Sequence, residues 1–467
     1  MNIPQGFLRF QLVQDTSKVL ATSFGGIPLV METFRALGLV QSIRKHLPVL
    51  QRQGKYRETD YVESFISLFA AGGDCVDDLE ILRADKGLKR LGLRVSSPEA
   101  ARVFLNAFHQ EQSFEGRVPH EAFIPEETEL LEGLGAVQNE LIGKATRETS
   151  SWKATIDLDA TVIESHKREA YWTYLGDKGY QPVVAYWAEQ DLIVADQFRD
   201  GNVPAGMDLV PVLQEAIEAL PKTVRLVRVR SDSAAYVHEF LNWCREDVPG
   251  RPRIEFAISA DMTEELKAAV RALPEELWKP LRKITEKGWI VGRKEWAEVE
   301  FVPSQPSRKK GMRPDRYLAI RIRPAQGELF WDGNPYHYFG VVTNMWSWGG
   351  ERLLQWQRER CGTVEKVLDV LKNDLAAGVM PAKRFFANAA WWRLNLMTYN
   401  VLSVMKRKSL PPLWWPARLK ALRFHLLCIA ARVIEHGRRL FLKIANPHPS
   451  FFLYQEAREK LFLFSSA

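Results

Sequence analysis

The feature that most constrains the fold is a change of periodicity at residue 151. In Ser151–Glu164, polar and apolar residues alternate as they do in a β-strand. We predict two more strands, a helix, a strand, a helix and a last strand, at Gln181–Glu189, Leu192–Phe198, Met207–Leu220, Val224–Val229, Ala234–Arg245 and Ile254–Ser259. Strands that alternate with helices in this way predict an α/β fold.

Residues 1–148 have the apolar periodicity of helices instead. Ser97 begins a strong helix signal, with a capping serine, a proline in the first turn and an acidic residue next to it. Short helical segments joined by tight turns cover residues 77–108. They fit a DNA-binding helix-turn-helix and a plain helical bundle equally well, so this region is predicted only as helical, with DNA binding as one interpretation.

The element order from 149 to 261 is that of a ribonuclease-H-like fold. We predict that 262–344 interrupts this core as a β-rich insertion, with strands near Trp289–Val291, Glu298–Val302, Tyr317–Arg323 and Tyr336–Val342. The core resumes in 345–381, where a helix is predicted from about Thr363 to Leu375. The last region, 382–467, is predicted as helical and basic.

Composition narrows the class of protein and its partners. Apolar residues make up 46% and charged residues 26%, which is ordinary for a globular protein, and the formal net charge of +7 favours a polyanionic partner. The four cysteines have no metal-ligand spacing. Because the sequence shows neither a signal peptide nor an apolar run of membrane-spanning length, we expect a cytoplasmic, nucleoid-associated protein without a membrane span.

Two carboxylates on the first strand point to metal chemistry. Asp157 and Asp159 lie two residues apart, so their side chains share one face of the strand, whereas Ile156 and Leu158 face the core. Carboxylates this close repel each other unless a cation neutralises them. A divalent metal ion is the natural cation for such a pair.

Two further carboxylates follow on the elements that would neighbour this strand. Asp232 comes just after the strand Val224–Val229, and Glu365 borders the apolar stripe of the helix 363–375. Together they make an oxygen-rich set that suits Mg²⁺, with Mn²⁺ as a substitute. Two such ions can activate an attacking water or 3′-hydroxyl and stabilise the leaving oxygen. Taken alone, each residue fits a turn, a cap or a solvated helix face better than a catalytic role.

Four stretches of the chain resemble a known family. They are residues 70–85, 155–165, 229–236, and 358–374 followed by 388–407. These stretches are similar to DDE transposases of the IS4-like superfamily, most of all to its IS1380 family. The resemblance runs over roughly residues 20–445. It implies a DNA transposase that cuts transposon ends and joins them to target DNA.

The resemblance assigns roles to individual residues. Asp159, in Asp159-Ala-Thr161, matches the first catalytic aspartate with Asp157 as its rival, Asp232 matches the second, and Glu365 matches the glutamate. The family signature around that glutamate is Tyr-x2-Arg-x3-Glu-x6-Lys. Its lysine is matched by Lys372, but Arg358 and Cys361 stand at the tyrosine and arginine positions, and Arg360 is one residue from the latter. The expected phosphate contacts are therefore Lys372, Arg358 and Arg360.

The family also implies partners and a reaction route. We expect double-stranded DNA, both terminal inverted repeats and target, as the partner, a homodimer in the synaptic complex, and cut-and-paste transposition through hairpin ends. Hairpin-forming relatives hold a flipped base with tryptophan, and Trp346, Trp348 and Trp356 are our candidates, although core packing explains each one singly. Trp391 and Trp392 are predicted core residues, and His166 a surface residue.

Two basic stretches are predicted to contact the DNA backbone. Met405–Lys443 contains ten Lys or Arg and a single acidic residue, Glu435. A second run, Arg308–Arg323, lies in the insertion and begins with Arg308, Lys309 and Lys310. The alternative for the first stretch is a pair of amphipathic helices whose basic face is only solvated.

Two other functions remain open at this stage. A ribonuclease-H-like nuclease that only hydrolyses DNA would use the same metal site. A catalytically silent, transposase-derived DNA-binding protein is disfavoured because all three carboxylates are present. A nucleotide-binding enzyme is not indicated, since the sequence has no phosphate-binding glycine motif.

Overall fold

A computed structural model describes most of the chain. The described residues are 19–49, 54–118, 120–285, 288–303, 314–323 and 336–466. Among them, no helix is long and apolar enough to cross a membrane.

The N-terminal region is helical, as predicted, apart from one short strand, β1 (Leu20–Thr22). Its helices are α1 (Ile27–Ala36), α2 (Leu39–His46), α3 (Glu58–Ala71), α4 (Leu79–Ala84), α5 (Lys86–Arg90), α6 (Pro98–Asn106) and α7 (Glu129–Ala145). The predicted cap of α6 is present, because the Ser97 hydroxyl accepts a hydrogen bond from the backbone N–H of Ala100. Apolar faces of these helices bury their side chains in the main core of the protein.

A nine-stranded mixed sheet forms the centre of the molecule. Along the chain, its strands in the described residues are β2 (Lys153–Ala160), β6 (Val183–Trp187), β7 (Leu192–Gln197), β8 (Leu226–Ser231), β9 (Arg253–Ala260), β10 (Lys279–Thr285), β11 (Gly288–Phe301), β12 (Asp315–Ile322) and β13 (His337–Thr343). Their order across the sheet is β10-β11-β12-β13-β9-β8-β2-β6-β7. A separate small sheet contains β3 (Ile163–Glu164), β4 (Tyr171–Trp172) and β5 (Lys178–Tyr180).

The five strands β7, β6, β2, β8 and β9 include both antiparallel and parallel neighbours. Strand β2 pairs with β6 antiparallel and with β8 parallel, and β8 pairs with β9 parallel. The connections carry α8 (Leu209–Glu218) and α9 (His238–Arg245). The predicted order of strands and helices between 151 and 259 is therefore confirmed, with boundaries shifted by a few residues.

The region 262–344 adds strands to the same sheet. After α10 (Glu264–Arg271) come β10 (Lys279–Thr285), β11 (Gly288–Phe301), β12 (Asp315–Ile322) and β13 (His337–Thr343). Strand β13 pairs antiparallel with β9, so the insertion is β-rich as predicted but is continuous with the core sheet. The two predicted strands at 289–291 and 298–302 are parts of the single long strand β11.

Two helices follow, and they bring the chain back over the sheet. They are α11 (Gly350–Arg358) and α12 (Val364–Asn373). The buried side of α12 consists of the four predicted residues, Val364, Val367, Leu368 and Leu371. Helix α13 (Phe385–Ser409) is buried around most of its circumference and contains Trp391 and Trp392, each 0% exposed.

The prediction of an all-helical C-terminal region is wrong in one part. Besides α14 (Leu419–Leu422) and α15 (Phe451–Ser466), this region contains the hairpin β14 (Ala431–His436) and β15 (Arg439–Ile444), which pairs with β1. Its two-residue turn has positive φ at Gly437 and Arg438, the backbone that suits a tight hairpin. The signal for the hairpin was two short apolar runs, Val433–Ile434 and Leu440–Leu442, on either side of Gly437.

Candidate active site

Strand β2 supplies two aspartates to one face of the central sheet. Asp157 is 0% exposed and Asp159 is 9% exposed, whereas Ile156 and Leu158 between and before them are buried in the apolar core. Strand β2 can hold two charged side chains because both are met by arginines from elsewhere in the chain. The predicted same-face geometry of the two carboxylates is thus present.

Asp232 lies one residue beyond the end of β8, next to the end of β2. In the register of the two parallel strands, Leu158 lies opposite Ser231, and the Ser231 hydroxyl donates to the Leu158 carbonyl at 3.0 Å. The next residue on each strand is an aspartate. The Asp232 carboxylate also caps the following helical turn by accepting from the N–H of Ala234 at 3.1 Å.

Glu365 lies in the first turn of α12, on the exposed edge of its buried stripe. Its side chain is 45% exposed. It reaches the aspartates through a shared cation: Arg360 donates to Asp159 Oδ2 at 2.7 Å and lies 3.4 Å from Glu365 Oε1. Arg360 therefore contacts Asp159 and Glu365, and the charge of Asp232 also acts on this guanidinium.

The electrostatics of this cluster follow from burial. Loss of solvent raises the pKa of Asp159 to about 7; the neighbouring Arg360 opposes this shift, whereas the charges of Asp232 and Glu365 add to it. For Arg360, burial lowers the pKa, but the charges of Asp159, Asp232 and Glu365 together raise it above its usual value. The cluster is therefore a group of repelling carboxylates that needs positive charge.

The donor set fits a hard divalent cation. Three carboxylates offer only oxygen ligands, which are the ligands that Mg²⁺ and Mn²⁺ prefer. Among the described residues, the only group of three acidic, Cys or His side chains whose ligand atoms all lie within 4.8 Å of one another is Asp74, Cys75 and Asp78. There Asp78 caps the backbone N–H groups of the other two, so its carboxylate already has partners.

Asp157, our fourth predicted ligand, has different neighbours from the other three. Both of its carboxylate oxygens accept hydrogen bonds from Arg230, and Oδ2 also accepts one from Thr363. Burial raises the pKa of Asp157, and the Arg230 hydrogen bond opposes that shift. Asp157 therefore lies in a buried ion pair beside the cluster.

Residues 13–466 match the family model described as transposase DDE domain group 1. The chain belongs to this family of DDE transposases. No curated protein matches the chain. Among solved structures, it is similar to a piggyBac transposase synaptic complex with hairpin DNA, determined by cryo-EM, with 10% sequence identity and a TM-score of 0.45 over 88% of this chain and 83% of that chain.

The three tryptophans proposed to hold a base lie in different environments in this DDE transposase. Trp348 and Trp356 pack edge to face, with ring centroids 5.6 Å apart, against a small apolar cluster. Trp348 is also covered by Arg228 and Arg352, and Trp356 by Arg230. Trp346 is 60% exposed and thus the one of the three whose ring has most surface available for a ligand.

The residues that we predicted to contact DNA phosphates also lie in different environments. Arg358 is exposed at the end of α11, Lys372 is half-buried in the last turn of α12, and Arg360 is buried among the carboxylates. Arg308, Lys309 and Lys310 lie outside the described residues. His166 is on the surface, as predicted.

Several basic side chains of the two stretches predicted to contact DNA form ion pairs or hydrogen bonds within the transposase itself. Arg316 pairs with Glu298, and Arg321 with both Glu275 and Glu295. In the C-terminal stretch, Lys408, Arg418, Lys420 and Arg423 are held by acidic side chains or backbone carbonyls. The Arg418 and Lys420 side chains are nevertheless 40% and 66% exposed, and DNA contact by the two stretches stays a prediction.

Two residues of the site were missed by sequence reasoning. Arg230 is 1% exposed, and Thr363 directly precedes α12 with its hydroxyl donating to Asp157. Arg230 had a signal, since an arginine two residues before Asp232 in a strand shares its face, and a charged side chain there needs an acidic partner. Thr363 had none beyond its place before a helix.

Proposed function

We propose that this protein is a DNA transposase that cuts transposon ends and joins them to target DNA by divalent-metal-dependent phosphoryl transfer. The observation that carries the proposal is that Arg360 contacts both Asp159 and Glu365 while the charge of Asp232 also acts on it. Family membership supplies the reaction class, and the cluster supplies the residues. We assign catalysis and metal binding to these three carboxylates.

The sheet supports a ribonuclease-H-like core as the frame for this chemistry. In order of appearance after residue 151, its first five large strands lie side by side as third, second, first, fourth and fifth. The first and fourth are parallel neighbours, so their carboxyl ends place Asp159 and Asp232 together. Ligand sites in mixed α/β sheets commonly form at such ends.

Each carboxylate has a distinct part in holding a metal ion. Asp159 lies on its strand, Asp232 caps the turn that follows β8, and Glu365 lies in the first turn of α12. Mg²⁺ or Mn²⁺ held by these residues would supply activation of the attacking hydroxyl and charge stabilisation on the leaving oxygen. Arg360 keeps the carboxylates compensated in the absence of the ion and is then near enough to contact DNA phosphate.

The DNA interface is proposed to surround this cluster. Arg358 and Lys372 flank Glu365 in sequence and would neutralise backbone phosphates, together with the predicted contacts at Arg308, Lys309 and Lys310. Trp346 is the best candidate for stacking on a base because it is 60% exposed, and Trp348 and Trp356 are the other two candidates. A homodimer acting on two transposon ends, a hairpin intermediate, nucleoid association and IS1380-type specificity complete the proposal as family expectations.

A strand-transfer assay distinguishes this function from its alternatives. Wild-type protein, labelled transposon-end duplex, supercoiled target DNA and Mg²⁺ should give covalently joined products. Cut ends without joined products would favour a hydrolysis-only nuclease. Binding without any cutting, with Mg²⁺ or Mn²⁺, would favour the silent DNA-binding protein and refute the proposal.

A further inference from the structure

A buried ion pair lies directly beside the carboxylate cluster. Arg230 Nε donates to Asp157 Oδ1 at 2.6 Å, and Arg230 Nη2 donates to Asp157 Oδ2 at 2.9 Å. The two residues face each other across the parallel pairing of β2 and β8, and their side chains are 0% and 2% exposed. A bidentate pair of this kind fixes both side chains in one orientation.

The same arginine ties the sheet to the end of α11. Its Nη1 donates to the Trp356 carbonyl at 2.7 Å and to Glu359 Oε2 at 3.2 Å, and the guanidinium lies 5.0 Å from the centroid of the Trp356 ring. The carbonyls of a helix's last turn lack partners within the helix, so a buried donor there stabilises the helix end. Arg230 thus anchors the segment from Trp356 to Glu359 on the sheet.

Asp157 anchors the next segment as well. Its Oδ2 accepts a hydrogen bond of 2.5 Å from the hydroxyl of Thr363. Thr363 is the residue before α12, and Glu365 is the second residue of that helix. One carboxylate therefore holds both ends of the turn, 359–363, that carries Arg360 and leads to Glu365.

We propose that Asp157 is a positioning residue for the catalytic glutamate, acting through Arg230 and Thr363. The inference rests on the proposed function and assigns Asp157 to the support of the site instead of to the metal ligands. A metal ligand needs an oxygen lone pair directed at the ion, but three of the four Asp157 lone pairs are engaged by protein donors, one on Oδ1 and two on Oδ2. Support of this kind commonly changes metal affinity or activity by about 10- to 100-fold when it is lost.

The test is a titration of the full-length protein with Mn²⁺, in which binding is measured by calorimetry and by the paramagnetic resonance signal of the free ion. Thr363→Val should weaken Mn²⁺ binding by about tenfold without changing the number of ions bound, and Thr363→Ser should restore binding. The control is Thr263→Val, the same substitution at the corresponding position before α10, where the Thr263 hydroxyl instead accepts from the N–H of Leu266. This control should bind Mn²⁺ as the wild type does.

The variant Asp157→Asn distinguishes a positioning role of Asp157 from direct binding of the metal ion by Asp157. The proposal expects weaker binding with unchanged stoichiometry, whereas Asp159→Asn should lower the stoichiometry or abolish binding. If Asp157→Asn loses an ion as Asp159→Asn does, Asp157 is a ligand and the proposal is overturned. It is also overturned if Thr363→Val and Asp157→Asn bind Mn²⁺ normally.

Amide hydrogen exchange gives a second readout that needs no metal ion. Thr363→Val should speed exchange at residues 363–367, and Thr263→Val should leave that segment unchanged. Unaltered exchange in Thr363→Val would contradict the positioning role even if the triad binds metal. Normal Mn²⁺ binding by Asp159→Asn would instead contradict the proposed function, so the two failures are distinguishable.

Discussion

Arg360 offers a quantitative test of the cluster's electrostatics. Its guanidinium lies 2.7 Å from Asp159 Oδ2, and the Asp159 side chain is 9% exposed. Hydrogen bonds to charged groups contribute a net ~1.5–3 kcal/mol, far less than the gross Coulomb energy, because desolvation offsets most of it. A metal ion that binds Asp159 must displace this contact and overcome that free energy.

Replacing the cation should therefore favour the metal ion. We expect Arg360→Gln to bind Mn²⁺ about 10- to 150-fold more tightly than wild type in the absence of DNA, since ~1.4 kcal/mol corresponds to a tenfold change in affinity. The assay is calorimetric titration of the DNA-free protein at neutral pH. Arg358→Gln is the control, because Arg358 is exposed and two residues away. Unchanged or weaker binding by Arg360→Gln would refute the argument that Arg360 compensates the carboxylates.

Three further outcomes follow from other parts of the structure. Asp200 is 2% exposed, and burial raises its pKa to about 6, against ~3.9 in an unfolded chain. The stability that this carboxyl group contributes is therefore present below pH ~4 and lost as the pH rises to 6. Between pH 4 and 7, Asp200→Asn should gain about 3 kcal/mol of unfolding free energy relative to wild type in urea titrations, and a pH-independent difference would contradict this. Arg393→Met should lower the free energy of unfolding by about 3–5 kcal/mol, because it leaves the buried Asp196 and its neighbour Glu127 without their cation. As the control, Lys408→Met, which removes a surface ion pair, should lower it by under ~1 kcal/mol. Equal losses would be evidence against the buried network. Trp346→Ala should reduce the binding free energy for a transposon-end duplex by about 1–3 kcal/mol, measured by fluorescence anisotropy. The control is Trp152→Ala, which should not change this affinity: Trp152 is about as exposed as Trp346 but precedes β2 at the end far from Asp159. Equal effects of the two substitutions would remove Trp346 from the interface.

The core of the fold was predictable because its periodicity is strong. Strand β2 alternates, α12 has a complete apolar stripe, and each of the buried residues predicted on α12 is buried in the structure. The position of Asp232 after a strand was predictable for the same reason. Sequence neighbours alone determine these features, so local pattern was sufficient.

Pairings between distant segments were not predictable. The continuity of β13 with β9, and the hairpin β14–β15 with β1, join residues far apart in the chain. The same holds for the partners of Asp157, because its carboxylate looks identical in sequence whether it meets a metal ion or Arg230. The partners of the basic residues Arg418 and Arg423 within the protein were equally invisible in the sequence.

The most direct test of the central claim is Mg²⁺-dependent cleavage of a labelled transposon-end duplex by wild type and by Asp159→Asn, Asp232→Asn and Glu365→Gln. These substitutions keep side-chain shape and remove one negative charge each. We predict that wild type cuts the end, and that each variant binds the duplex but cuts at least about a thousandfold more slowly, roughly 4 kcal/mol in barrier height. Cleavage at wild-type rate by any of the three would contradict its assignment to the catalytic site.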